Sequence, residues 1–378
     1  MIVAYFPSFP FRGRSAPYLW IFYKLLTTYG DRLHFLTDDL YRQDVDIWRQ
    51  YQRWELLDDS QKRQGYRLPT SAELATMSIT HFNSDFFVRM LAEHEGNPTR
   101  AFYEYLTQND VSLERDFYDA LQSIGNVEVV LNWCNCPSLF SACKRLNIPV
   151  MNMELGPLRH PEYLSTGYLD FSGVNGNTEA KARYAAAAED CQLNLTLEDL
   201  RGFFSSTPFP TLTKQYKSGI VLQVENDSNL IAYSNGFNNQ VLLDYAQLNY
   251  DGNFLVRSHP GSAFRLKENL SNVDQSATSI DFIARCETIV TINSSVGLEA
   301  LLMGVPVIAF GDSSFRFILE AEEEKERINR LGFYLFAYLV PYALIFDLEY
   351  IRFRLSRPDE KSIIKKHLQF YESAGNIT

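Results

Sequence analysis

The chain has 378 residues, 46% of them hydrophobic, which suits two domains at roughly 150 residues each and excludes wholesale disorder. Lysine and arginine total 35 against 46 acidic residues, and the net charge of −11 excludes a uniformly basic nucleic-acid-binding surface. Five scattered cysteines are too few for a disulfide framework, so reduced thiols and a cytoplasmic setting are expected.

Ile2–Phe6 reads as a strand, the proline- and glycine-broken stretch to Pro17 as a loop, and Tyr18–Thr28 as a helix. No basic region precedes the first apolar run, so no secretory signal is expected. Leu33–Leu36 is the next strand. From about 41 to 125 the sequence is charged, aromatic and helical in period, and reads as an insertion. Strand Val127–Leu131, helix Pro137–Leu146 and strand Ile148–Met153 restore the α/β alternation, with Pro137 opening its helix. The last strand runs into Glu154-Leu155-Gly156-Pro157-Leu158-Arg159, at the sheet edge where open α/β folds bind ligands. A second polar loop, Gly173–Thr178, precedes an alanine-rich helix.

Ser205–Ser218 reads as a linker. The domains expected are therefore 1–205 and 206–332, with 333–378 packing back on the first. Beyond the linker come strands Ile220–Val224, Phe254–Arg257, Thr288–Ile292 and Val305–Phe310. Polar clusters follow the first three: Glu225–Ser228, Ser258–Pro260 and Asn293–Ser295. The apolar run Phe333–Phe346 is too short to cross a bilayer at ~20 residues and is interrupted by Pro341. A buried segment is expected there, with contact to the inner face of a membrane as the alternative, because Arg352, Arg354 and Arg357 follow.

Each cluster has a chemical and a plain structural use. Ser294 and Ser295 stand where a strand hands over to a helix, so N–H groups and hydroxyls there suit a phosphate, and Gly297 would admit a ligand close to the backbone. Glu299, one turn on, suits ribose hydroxyls. Simple helix capping is the other use of these serines. His259 suits a phosphate oxygen or an ordinary turn. Glu154 and Asp227 end strands, one in each expected domain, and are the carboxylates nominated for nucleophile and acid/base work, against capping or ion pairing. Arg159, Arg257 and Lys267 could supply positive charge. Cys134 and Cys136 lack a second ligand pair, so no metal site is expected.

Five motifs in order, ELGPLR at 154–159, GVNGN at 173–177, QVENDS at 223–228, RSHPGS at 257–262 and TINSSVGLEALLMGVPVIAFG at 291–311, resemble those of bacterial β-Kdo transferases of the KpsC and WbbB types. The resemblance implies a GT-B-like α/β fold, two Rossmann-like domains facing across a cleft. It implies a retaining transfer of β-Kdo from CMP-β-Kdo to a sugar hydroxyl of a bacterial surface polysaccharide or glycolipid. Asp227 would be the nucleophile of a covalent intermediate and Glu154 the acid/base. His259, Ser294, Ser295, Gly297 and Glu299 would hold CMP, with Ser228 and Arg257 beside them and Arg159 or Asn175 on the sugar carboxylate. No obligatory cofactor or metal, and no nucleic acid partner, is implied. The alternatives are a transferase using CMP-sialic acid or a UDP-sugar, and a non-catalytic glycan-binding module. The chain could also be one module of a longer enzyme.

Overall fold

The computed structural model describes residues 1–7, 18–43, 46–47, 67–187, 192–266 and 272–374. Two compact units divide at Met153 and Glu154. Both are built on parallel sheets, so the molecule is α/β with two Rossmann-like sheets.

The first unit carries β1 Ile2–Tyr5, β2 Leu33–Thr37, β3 Ser78–His81, β4 Val129–Asn132 and most of β5 Val150–Leu155. They run parallel in the spatial order β5-β4-β1-β2-β3. Apolar β1 is buried along its whole length, as a strand covered on both faces must be. The insertion is not helical throughout: besides helices Phe86–Glu93, Pro98–Thr107 and Val111–Ile124 it contributes β3. Its aromatics Phe102, Tyr105 and Phe117 are buried in packing rather than lining a surface groove.

In the second unit β6 Thr166–Asp170 pairs antiparallel with β11 Val340–Pro341. A separate parallel sheet holds β7 Ser218–Val221, β8 Phe254–Arg257, β9 Ile289–Thr291 and β10 Val307–Ala309, in the order β10-β9-β7-β8. Alternate residues feed its two faces. Val221, Leu255 and Ile289 enter one core with helices Ser279–Ala284 and Val296–Leu302. Ile220, Val256 and Val290 enter another with helix Asn239–Tyr250.

Residues 158–204, expected in the first domain, share the larger of these cores. Leu158, Tyr163, Tyr168, Leu200 and Phe204 pack there with Phe282, Leu298 and Phe336. The boundary of compactness therefore lies some fifty residues before the proline-rich linker. The closing segment packs on the same residues: Phe333–Leu339, Ile364 and Tyr371 join that core. The run from Phe333 to Phe346 is folded into a helix end, a π turn, β11 and a short 3-10 turn and is largely buried. Among the described residues no helix is long and apolar enough to cross a bilayer.

Candidate active site

Register places the polar clusters on one edge. Val221 aligns with Arg257 and with Thr291, so the chain leaves β7, β8 and β9 at the same level. Between β7 and β9 the strand order reverses, the position where open α/β sheets take ligands. Two side-chain pairs knit this edge. Gln223 Nε2 donates to Asn293 Oδ1 (2.9 Å), and Asn293 N–H donates to Gln223 Oε1 (3.1 Å). Glu225 accepts from Ser262 Oγ (3.0 Å) and from Asn239 Nδ2 (2.6 Å), tying the loops after β7 and β8.

Asp227 caps helix Ser228–Tyr233: its Oδ1 accepts from the Asn229 N–H (3.1 Å) and Nδ2 (3.2 Å) and from Ser228 Oγ (3.4 Å). Asn175 Nδ2 donates to Ser228 Oγ (3.2 Å). Asn175, Ser228 and Asp227 thus form one half-buried chain of contacts. The loop that delivers Asn175 also bonds beyond this helix, Asn177 N–H to Asp312 Oδ2 at 3.1 Å. Gly176 lies flat under the Tyr233 ring, where a β-carbon would be 2.2 Å from ring carbon Cδ1.

Glu154, half-buried, accepts from the Leu155 N–H at 2.8 Å and belongs to the same unit as Asp227 rather than to the other. Arg159, an exposed residue, donates from Nε to the Gly156 carbonyl (3.0 Å). Glu154 and Arg159 both act electrostatically on the Tyr168 phenol, which burial raises above its ordinary pKa. Tyr168 in turn meets Tyr334 OH (3.0 Å), which lies 2.7 Å from Ser314 Oγ. Loop Gly311–Ser314 therefore touches the Asn175 loop through Asp312 and the Tyr168 group through Ser314.

The expected nucleotide residues divide. Ser294 Oγ accepts from the Val296 N–H (3.3 Å) and Ser295 is exposed at the start of helix Val296–Leu302. Gly297 faces inward: a β-carbon there would meet the Phe315 ring at 3.1 Å and Val307 at 3.3 Å, so its small size serves packing. Glu299 is 7% exposed and accepts from Ser279 Oγ (2.6 Å) and Tyr163 OH (3.2 Å). Burial raises its carboxyl to about 7, against the opposing effect of these two hydroxyls and of Arg257. His259 is exposed, and its Nδ1 accepts from the Gly261 N–H (3.0 Å), which places the neutral ring's proton on Nε2. Arg257 is engaged by buried Asp274 (2.5 Å) and the Ser276 carbonyl (3.2 Å), an ion pair inside the fold rather than a free cation. Lys267 lies outside the described residues. Cys134 and Cys136 are buried, and the Cys136 thiol is pushed up to about 11 by burial. Among the described residues no three metal-binding side chains gather.

Residues 4–179 match the glycosyltransferase 99 family N-terminal domain. Residues 213–318 match the capsule polysaccharide biosynthesis protein family. Together the two matches support a glycosyltransferase acting in capsule polysaccharide synthesis. Both matches agree with the resemblance to bacterial β-Kdo transferases carried by the five motifs. Among solved structures, this glycosyltransferase is similar to the β-Kdo 2,7 transferase of Thermosulfurimonas dismutans KpsC. That likeness has 18% identity and a TM-score of 0.43 over 68% of this chain and 90% of that one. The β-Kdo 2,4 transferase of the same KpsC is similar at 14% identity, covering 55% and 79%, with a TM-score of 0.37. UDP-GlcNAc 2-epimerase of Methanocaldococcus jannaschii follows at 13%, covering 88% and 90%, with 0.30. No curated protein sequence matches the chain.

Proposed function

We propose that this glycosyltransferase moves β-Kdo from CMP-β-Kdo to a sugar hydroxyl of a capsule polysaccharide or its glycolipid primer, with retention. The observation that carries the reading is the Asn175–Ser228–Asp227 chain at the reversal point of the second sheet. Kdo has a quaternary anomeric carbon bearing a carboxylate, so departure of CMP builds oxocarbenium character. An Asp227 oxygen attacks that carbon, the bond to the CMP phosphate breaks, and a covalent glycosyl ester results. The acceptor hydroxyl then attacks the same carbon, Glu154 takes its proton, and the Asp227 carboxylate is released. Ser294, Ser295 and His259 face the departing phosphate, and Glu299 the nucleoside. Arg159 or the N–H groups around Asn175 hold the sugar carboxylate. No step calls for a metal, so transfer is expected to survive a chelator.

Thermal unfolding with CMP, UMP, UDP, ADP and GDP tests the donor. Saturation at about 100 times the dissociation constant adds about 2.7 kcal/mol, a shift of several degrees. A shift with CMP alone supports the reading. A shift with a uridine or purine nucleotide instead assigns another nucleotide sugar, and no shift with any points to a module that binds glycan alone.

A further inference from the structure

We propose that Asp170 is a positioning residue for the Asp227 site: a fully buried carboxylate that closes the 171–179 loop and thereby aims Asn175 at Ser228. Asp170 ends β6 with no exposed surface. Its Oδ1 accepts from the N–H groups of Ser172 (2.7 Å) and Gly173 (3.0 Å). Its Oδ2 accepts from the Glu179 N–H (2.9 Å) and from Tyr338 OH (2.7 Å). One side chain therefore holds both ends of the loop and anchors them to the closing segment of the fold. An ionised carboxylate is acceptor-only, which suits it to N–H and O–H donors such as these.

Inside the loop, Val174 is buried in the core and Gly176 lies against the Tyr233 ring. The loop turns through Asn175 at φ 69° and Asn177 at φ 55°, both left-handed, with Gly176 N–H donating to the Val174 carbonyl (2.8 Å). Two of its outward hydrogen bonds reach the site: Asn175 to Ser228 and Asn177 to Asp312. Ser228 then donates to Asp227 Oδ1, the same oxygen that accepts from the Asn229 N–H. Displacing the Asp170 staple moves Asn175, and the Asn229 N–H reports the consequence at Asp227. An asparagine in this place keeps one acceptor oxygen and turns an NH2 group toward donors, so D170N opens the staple with almost no change in volume.

The functional part of this inference rests on Asp227 being the reacting carboxylate; the structural link does not, and two measurements keep them apart. Hydrogen exchange is followed at Ser172, Gly173, Glu179 and Asn229 in the full chain. D170N is expected to speed exchange about tenfold or more at all four; unchanged protection at Asn229 overturns the proposal. Transfer from CMP-β-Kdo is then measured for D170N, N175A and the double variant. D170N is expected to lower kcat/KM about tenfold alone and less than about twofold in the N175A background, because both act through one contact. Additive losses overturn the proposal, since a general loosening of the fold is additive. If the wild type transfers no Kdo, the donor reading fails and the Asn229 result decides the inference by itself. If D170N does not fold, Y338F, which removes one of the four donors, is expected to give the same pattern at smaller amplitude.

Discussion

Two charged regions of the second unit contrast in how they use their charge. Around Asp227 the groups are half-buried and short, and the hydrogen bonds run to backbone N–H groups, hydroxyls and amides. At the far end of the 171–179 loop, Arg183, Glu179, Glu360 and Arg354 form a buried ionic cluster. Arg183 grips Glu360 with two bonds of 2.7 Å, and Arg354 is 3% exposed. His367 joins it, neutral, its pKa lowered to about 3 chiefly by burial and bonded to the Phe336 carbonyl (2.9 Å). In the second region opposite charges neutralise one another and hold the closing segment. In the first, backbone N–H, amide and hydroxyl dipoles hold Asp227 at the edge of the sheet, where a carboxylate suits a developing positive carbon. Charge paired inside a core stabilises a fold; charge cradled by dipoles at a sheet edge suits chemistry.

The largest test of this contrast is Asp227→Asn. It is expected to lower kcat by about a thousandfold or more, since the proposed nucleophile is lost, while the cap on helix Ser228–Tyr233 survives because Asn caps as well as Asp. The melting temperature should barely move. Arg183→Met should do the reverse. It leaves Glu360 without the cation that grips it, and Glu179 with Arg354 in place of two cations, and is expected to cost about 3–5 kcal/mol in chemical denaturation. Activity per folded molecule is expected to be retained. A large loss of turnover in the folded fraction would erase the distinction between the two regions.

Glu299 sits between the two kinds: buried, yet bonded only to hydroxyls. Its carboxyl is raised to about 7 by burial, so the native state binds more protons than the unfolded chain between about pH 4.5 and 7. Stability from this residue is therefore present at low pH and lost as pH rises through 7. Glu299→Gln should remove that loss, gaining about 2–3 kcal/mol over wild type at pH 8 and little at pH 4, by thermal unfolding at both. His367, whose slope has the opposite sign, is common to both proteins and cancels. A variant equally shifted at both pH values would contradict the burial argument. The smallest expected effect is Ser294→Ala, about 1 kcal/mol from the lost bond to the Val296 N–H, read from the denaturation midpoint.

Legibility followed the same division. The strands of the second sheet were readable because short β-branched runs such as Ile220-Val221 and Ile289-Val290 end in polar clusters, and register then put those clusters on one edge. Two strands left little trace. Ser78–His81 is a half-exposed strand of four residues at one end of its sheet, too short to show a period. Thr166–Asp170 lies between two loops that draw attention to themselves. Asp170 carried one local signal, an aspartate two residues before Ser172, the spacing of an Asx turn. The partners of Glu299 carried none, because Tyr163 lies 136 residues away and only folding brings it near. Likewise, the missing side chain of Gly297 and the charge of Arg257 suggested a ligand, whereas Phe315 and Asp274, distant in sequence, claim them for packing and pairing.

The proposed covalent bond between Kdo and Asp227 would be visible by intact-protein mass spectrometry. Glu154→Gln should slow the second step more than the first, because CMP departure needs no proton from this residue. Incubated with CMP-β-Kdo and acceptor, that variant is expected to gain the mass of one Kdo residue, and peptide mapping should place it on Asp227. Product formed by a protein that never gains mass, or a sugar mapped to another side chain, would contradict the account.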